Sequence, residues 1–95
     1  MLTDEQVKAV ILHKLFMRKC WGGKHTSFDN LKKGVNIQEL GKEGLKRIDK
    51  IGKELIRDGM MMAKPTNYGL EVSLNPRFSK DITALIQEYF HESGQ

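Results

Sequence analysis

Residues 42–76 read KEGLKRIDKIGKELIRDGMMMAKPTNYGLEVSLNP, and this stretch decides the fold. From Lys42 to Asp58 the apolar residues Leu45, Ile48, Ile51, Leu55 and Ile56 recur at helical spacing, and Gly59 supplies a stop. Met60-Met61-Met62-Ala63 then leads into Lys64-Pro65-Thr66-Asn67-Tyr68-Gly69. Its Pro and Gly punctuate a tight turn, and Asn67 tolerates left-handed geometry. Beyond the turn Leu70, Val72 and Leu74 alternate with Glu71 and Ser73, the period-two pattern of a strand with one buried face. A helix feeding directly into a hairpin is the back half of a winged helix-turn-helix, which supplies a groove-entering helix and a wing.

Upstream, a first helix is expected over residues 4–20. Thr3 and Gln6 have the spacing of a capping box, and Trp21-Gly22-Gly23 follows as a terminator. Val7, Ile11 and Leu15 form one stripe of this helix, Leu12 and Phe16 a second, and Val10 and Met17 a third. Apolar side chains thus cover most of its circumference, more than one small core needs, so it belongs at the centre of the fold or partly in a subunit interface. Lys24-His25-Thr26 reads as a short extended segment, and Ser27 caps a brief helix over 28–33 with Phe28 and Leu31 inward. Gly34 closes that helix, and Asn36 is placed to cap a single turn holding Ile37 and Leu40. Inside the 42–58 helix, Gly44 and Gly52 each cost roughly 1 kcal/mol relative to Ala. Gly52 lies on the apolar side, where close approach of another helix offsets that cost. Asn75 as cap and Pro76 at the first position start a last helix over 76–92, with Phe78, Ile82, Leu85, Ile86 and Tyr89 on one face. The expected architecture is one domain over residues 1–95, mainly α with a small antiparallel β-hairpin (60–74). It is a winged helix-turn-helix with an additional C-terminal helix.

Composition narrows the function classes. With 39% hydrophobic and 29% charged residues the chain is ordinary for a globular domain. Its apolar runs fall far short of the ~20 residues that cross a bilayer. The opening Met1-Leu2-Thr3-Asp4-Glu5 has no basic region or apolar run of a signal peptide, so a cytoplasmic location is expected. The single cysteine, Cys20, leaves no internal disulfide and no multi-cysteine zinc site, and the spacing of His13, Cys20 and His25 matches no ligand pattern. No metal or other cofactor is expected. The three methionines 60–62 read as gap-fillers in a strand. No phosphate-cradling loop, nucleophile elbow, H-E-x-x-H or magnesium-binding acidic cluster is present in the sequence, so an enzyme is not expected.

Charge points toward a polyanion. Residues 1–64 hold 14 Lys/Arg against 8 Asp/Glu, a net of +6, while residues 65–95 hold 2 against 4, a net of −2. On a helical wheel Lys42, Lys46, Lys50, Lys53 and Arg57 gather within about 80°, nearly opposite the apolar arc. A segregated stripe of this kind suits phosphate contacts along a groove wall; the blander reading is a solvated face with i,i+4 ion pairs. Few base-reading side chains stand near the helix start, only Asn36, Gln38 and Lys42, so sequence specificity is doubtful. Lys24, Thr26, Ser27, Lys32 and Lys33 bracket the short helix, which in a helix-turn-helix crosses the phosphate backbone. Lys64, Asn67 and Tyr68 give the hairpin tip a cation, a polar group and an aromatic ring for a backbone or minor-groove contact.

The runs His25-Thr26-Ser27-Phe28-Asp29-Asn30-Leu31, Glu54-Leu55-Ile56-Arg57-Asp58-Gly59 and Lys64 to Pro76 resemble a group of small archaeal winged helix-turn-helix proteins of the transcriptional-regulator type. The resemblance covers about residues 2–85. It implies that the 42–58 helix is the recognition helix and Lys64–Gly69 the wing. The expected function is therefore DNA binding in transcription regulation, with duplex DNA as partner. A protein-interaction or assembly module, or an RNA- or ribosome-associated protein, remains the alternative. A homodimer is expected through the first and last helices, by way of Leu12, Phe16, Ile82, Leu85, Tyr89 and Phe90.

Overall fold

Thr3 opens the first helix, α1 (Asp4–Met17). Its hydroxyl accepts from the Gln6 N–H at 3.1 Å, and the Gln6 side chain accepts from the Thr3 N–H at 2.8 Å, the expected capping box. The computed structural model describes residues 2–35, 40–41 and 43–90. The turn expected around Asn36 and the groove contacts expected of Gln38 and Lys42 lie outside the described residues.

α1 ends at Met17 rather than Cys20. Lys19 takes the left-handed conformation (φ 57°), its N–H bonding the Phe16 carbonyl and the Cys20 N–H the Leu15 carbonyl, each at 3.0 Å. Those two bonds and the buried Leu15–Cys20 pair form a Schellman terminator. The stop is thus a lysine, and Gly22 (φ 59°) only bends the chain afterwards.

Residues Thr26–Ser27 form β1, and the hairpin consists of β2 (Met61–Thr66) and β3 (Gly69–Leu74). The three strands pair antiparallel in the order β1-β3-β2, with Thr26 opposite Val72 and Met61 opposite Leu74. At the hairpin turn the left-handed residue is Gly69 (φ 129°); Asn67 keeps negative φ. Ser27 caps the short helix α2 (Phe28–Lys33), its hydroxyl accepting from the Asn30 N–H at 3.3 Å.

The long amphipathic helix, α3, runs from Gly44 to Arg57. Ile48, Ile51, Gly52 and Leu55 face inward, whereas Leu45, at the edge of the apolar arc in the first turn, is 55% exposed. Gly52 is where α2 comes close: a Cβ there would stand 2.6 Å from Phe28 Cζ. The Asn75 side chain donates to the Gly59 carbonyl at 2.8 Å and its N–H to the Met60 carbonyl at 3.0 Å, pinning the two ends of the hairpin together. A 3-10 turn (Pro76–Phe78) then leads into the last helix, α4 (Ser79–Phe90).

α1 is the central element, packed by α3, α4 and the sheet. Val7, Ala9, Ile11, Leu12 and Leu15 are all fully buried, so the apolar surplus read from its sequence is absorbed mostly within the chain. This corrects the expected subunit interface at two positions. Leu12 and Ile82 are both 0% exposed, because α4 lies against α1 and makes them core. Phe16 is 39% exposed, while Leu85, Tyr89 and Phe90 are half-buried, with the Phe90 ring stacked on His13 at 4.3 Å. The chain is mainly helical with a small three-stranded antiparallel sheet. No helix among the described residues is long and apolar enough to cross a membrane.

Candidate nucleic-acid interface

Burial of Ile48, Ile51 and Leu55 fixes the rotation of α3 and turns its opposite side outward. Lys46, Lys50, Lys53 and Arg57 are exposed on that outer side. Lys46 pairs with Glu43 at 3.3 Å and Arg57 with its neighbour Asp58 at 3.3 Å. Both are surface pairs of small worth, which an arriving phosphate can displace. Lys50 and Lys53 form no ion pair among the described residues. The long side chains of this face enclose an open hollow of about 610 Å³, with Asp49 and Glu54 among its walls. Among the described residues, all of its lining belongs to one helix. It is therefore a space between solvated side chains rather than a ligand pocket of fixed shape.

Arg47 is set apart from this stripe. It donates to Asp4 Oδ1 at 2.8 Å and to the Leu40 carbonyl at 3.0 Å, fastening the start of α1 to the start of α3. The Arg47 hydrogen bond holds the Asp4 carboxyl below its ordinary range; slight burial opposes the shift, and Lys50, Arg47 and Lys8 add to it.

Lys32 is likewise structural. Its ammonium sits 3.1 Å from Asp49 and 3.3 Å from Asp29, and 5.4 Å from the Phe28 ring centroid. Burial pulls its pKa down, but the bonds to Asp49 and Asp29 outweigh that and raise it above the usual lysine value. The expectation of a free phosphate contact at Lys32 is corrected: the side chain bridges α2 to α3. Ser27 is occupied by its capping bond, and the Thr26 hydroxyl accepts from Arg18 Nη1 at 3.4 Å. Lys24 and Lys33 remain exposed.

At the far end of the hairpin, Lys64, Asn67 and Tyr68 are exposed, Tyr68 at 97%. Thr66 shapes the turn: its hydroxyl donates to the Gly69 carbonyl at 2.8 Å and accepts from the Tyr68 N–H at 3.2 Å. The Tyr68 ring therefore projects from a fixed turn instead of folding onto the strands.

Sequence reasoning overlooked Arg18 and Lys19, exposed cations at the end of α1 without an ion pair among the described residues. The signal was available, because no Asp or Glu occurs between Glu5 and Asp29. Comparison with protein-family models, with curated proteins and with solved structures gave no match.

Proposed function

We propose that this chain is a winged helix-turn-helix protein that binds duplex DNA and acts in transcription regulation, as a binding protein without catalytic activity. The observation that carries the reading is the outer face of α3, where Lys46, Lys50, Lys53 and Arg57 stand together on a helix whose opposite face is core. Two further features support it. The element order α1-β1-α2-α3-β2-β3 with strand order β1-β3-β2 is compatible with a winged helix, and the exposed Lys64–Tyr68 tip follows α3 where a wing would. The resemblance to archaeal regulators points the same way.

Recognition in this reading is of the phosphate backbone. The outer face of α3 carries no Asn or Gln, and Arg57 stands in its last turn, away from the helix start where base edges are read, so affinity comes from counterion release. A titration of duplex DNA across a salt series tests it. Five contacts (Lys46, Lys50, Lys53, Arg57 and Lys64) give a log–log slope of about −4.5 at roughly 0.9 per phosphate. An absence of binding at about 50 mM salt, where such contacts are strongest, would turn the reading toward a protein-interaction module. Tighter binding to structured RNA than to duplex DNA would turn it toward RNA.

A further inference from the structure

Two surfaces outside the five proposed phosphate contacts complement each other, and the first takes in Arg18 and Lys19. The first is the C-terminal tip of α1. Met17 is 65% exposed and Phe16 39%, the latter edge-to-face with Trp21 at 6.2 Å between ring centroids. Lys14, Met17 and Arg18 share one shallow hollow, and Lys19 follows at once in its left-handed turn. None of these three cations has an ion pair among the described residues, and the sequence from Gln6 to Phe28 contains no carboxylate to supply one. The tip is an apolar projection set among uncompensated positive charge.

The second surface is a cleft of about 320 Å³ where α1, α3 and α4 meet. Leu55, Met60 and Leu85 give it an apolar floor. Exposed carboxylates of Glu5, Asp58, Asp81 and Glu88 stand around it, Asp58 paired with Arg57 at 3.3 Å; Lys8, the single lining cation among the described residues, is already drawn to Glu5 at 3.4 Å and Glu54 at 3.8 Å. Negative potential reaches past the rim: burial first, then Glu88 and Glu5, push the neighbouring Tyr89 hydroxyl above its ordinary range. The volume lies at the small end of binding clefts, room for one or two inserted side chains. A chain cannot fill the cleft with its own tip, since residues 5–8 and residue 17 are separated by roughly 14–18 Å along one rigid helix.

We propose that the occupant of the cleft is the α1 tip of a second copy of this chain. Met17 enters over Leu55, Met60 and Leu85, while Lys14, Arg18 and Lys19 meet the carboxylate rim. The matched charge selects this partner over a neutral apolar one and makes the contact sensitive to salt. A single tip-in-cleft contact leaves one tip and one cleft free; these either fill each other about a two-fold axis, closing the pair, or take up further copies head-to-tail. The α3 stripe lines neither surface and meets the rim only through the Arg57–Asp58 pair, which the variants below leave in place, so their effect is read independently of DNA binding.

The test uses two variants at exposed positions, Met17→Glu in the tip and Asp81→Lys/Glu88→Lys in the cleft, with the near-isosteric Asp81→Asn/Glu88→Gln as a second cleft variant. Sedimentation should show the wild type associating with concentration into a closed pair or larger species, and collapsing toward the 10.9 kDa monomer when salt is raised well above about 0.1 M. Each variant alone should lose all larger species. An equimolar mixture of the tip and cleft variants should recover one species, a capped pair, since a single intact tip meets a single intact cleft. A wild type that stays monomeric at about 1 mM, the dissociation constant of a 4 kcal/mol contact, overturns the proposal. So does a mixture that stays monomeric, or a dimer that survives both substitutions.

Discussion

Lys19 holds φ at 57°, a conformation that costs an L-residue about 1–2 kcal/mol, because the two bonds that end α1 require it. Replacement by glycine keeps those bonds and removes the Cβ penalty. Lys19→Gly is therefore expected to stabilise the chain by roughly 0.5–1 kcal/mol, read from the urea midpoint. Gly52 poses the opposite case. Alanine gains about 1 kcal/mol of helix propensity, but its Cβ would meet Phe28 Cζ at 2.6 Å, and crowding a packed ring costs about 1–3 kcal/mol. Gly52→Ala should lower the midpoint; a rise would mean that Phe28 yields freely. The close approach at Gly52 was legible in the sequence, because a glycine on an apolar arc asks for a neighbour. The role of Lys19 was not, because lysine carries no local preference for a left-handed turn.

Among the elements, α3 was the most readable, since its two faces differ in both polarity and charge. The pairing of β1 with β3 was unreadable, because a two-residue strand has no period to detect. Tertiary ion pairs were equally hidden: local spacing offers no partner across elements for Lys32 or Arg47, and only packing reveals Asp49 and Asp4 opposite them. On α3, a Lys46/Lys50/Lys53 triple Ala variant removes three exposed charges and adds the best helix former. Helix content by circular dichroism should hold, while the salt slope for DNA weakens by about 2.7. An unchanged slope would clear α3 of the contact. The α1–α3 and α2–α3 ties have opposite pH signatures. Asp4 is depressed below its ordinary 3.8, so its tie contributes above that pH and is lost as pH falls through the lower folded value. Lys32 is raised above 10.5, so its bridge is complete below that pH and is lost as pH rises through the higher folded value. Asp4→Asn should therefore flatten the acid limb of the stability profile and leave the alkaline limb alone.

At the level of the whole molecule, the sequence revealed a surplus of apolar surface on α1 without revealing what covers it. Periodicity says which residues want burial, while only topology says whether the cover comes from the same chain. Here α4 supplies it, and Ile82 is core. Ile82→Ala should cost about 2–5 kcal/mol, and its drop in melting temperature relative to wild type should be the same at every protein concentration. A concentration-dependent loss would return Ile82 to a subunit interface. Cys20 belongs to this scale as well, because its backbone joins distant parts of the chain. Its N–H ends α1, its carbonyl accepts from the Leu74 N–H at 2.7 Å, and the residue as a whole is 3% exposed. Helix terminus and strand terminus are clamped at one residue, so a thiol reagent reaches Sγ only when both let go. The single cysteine of the chain is thus a built-in clock: its rate of alkylation counts how often the centre of the molecule opens.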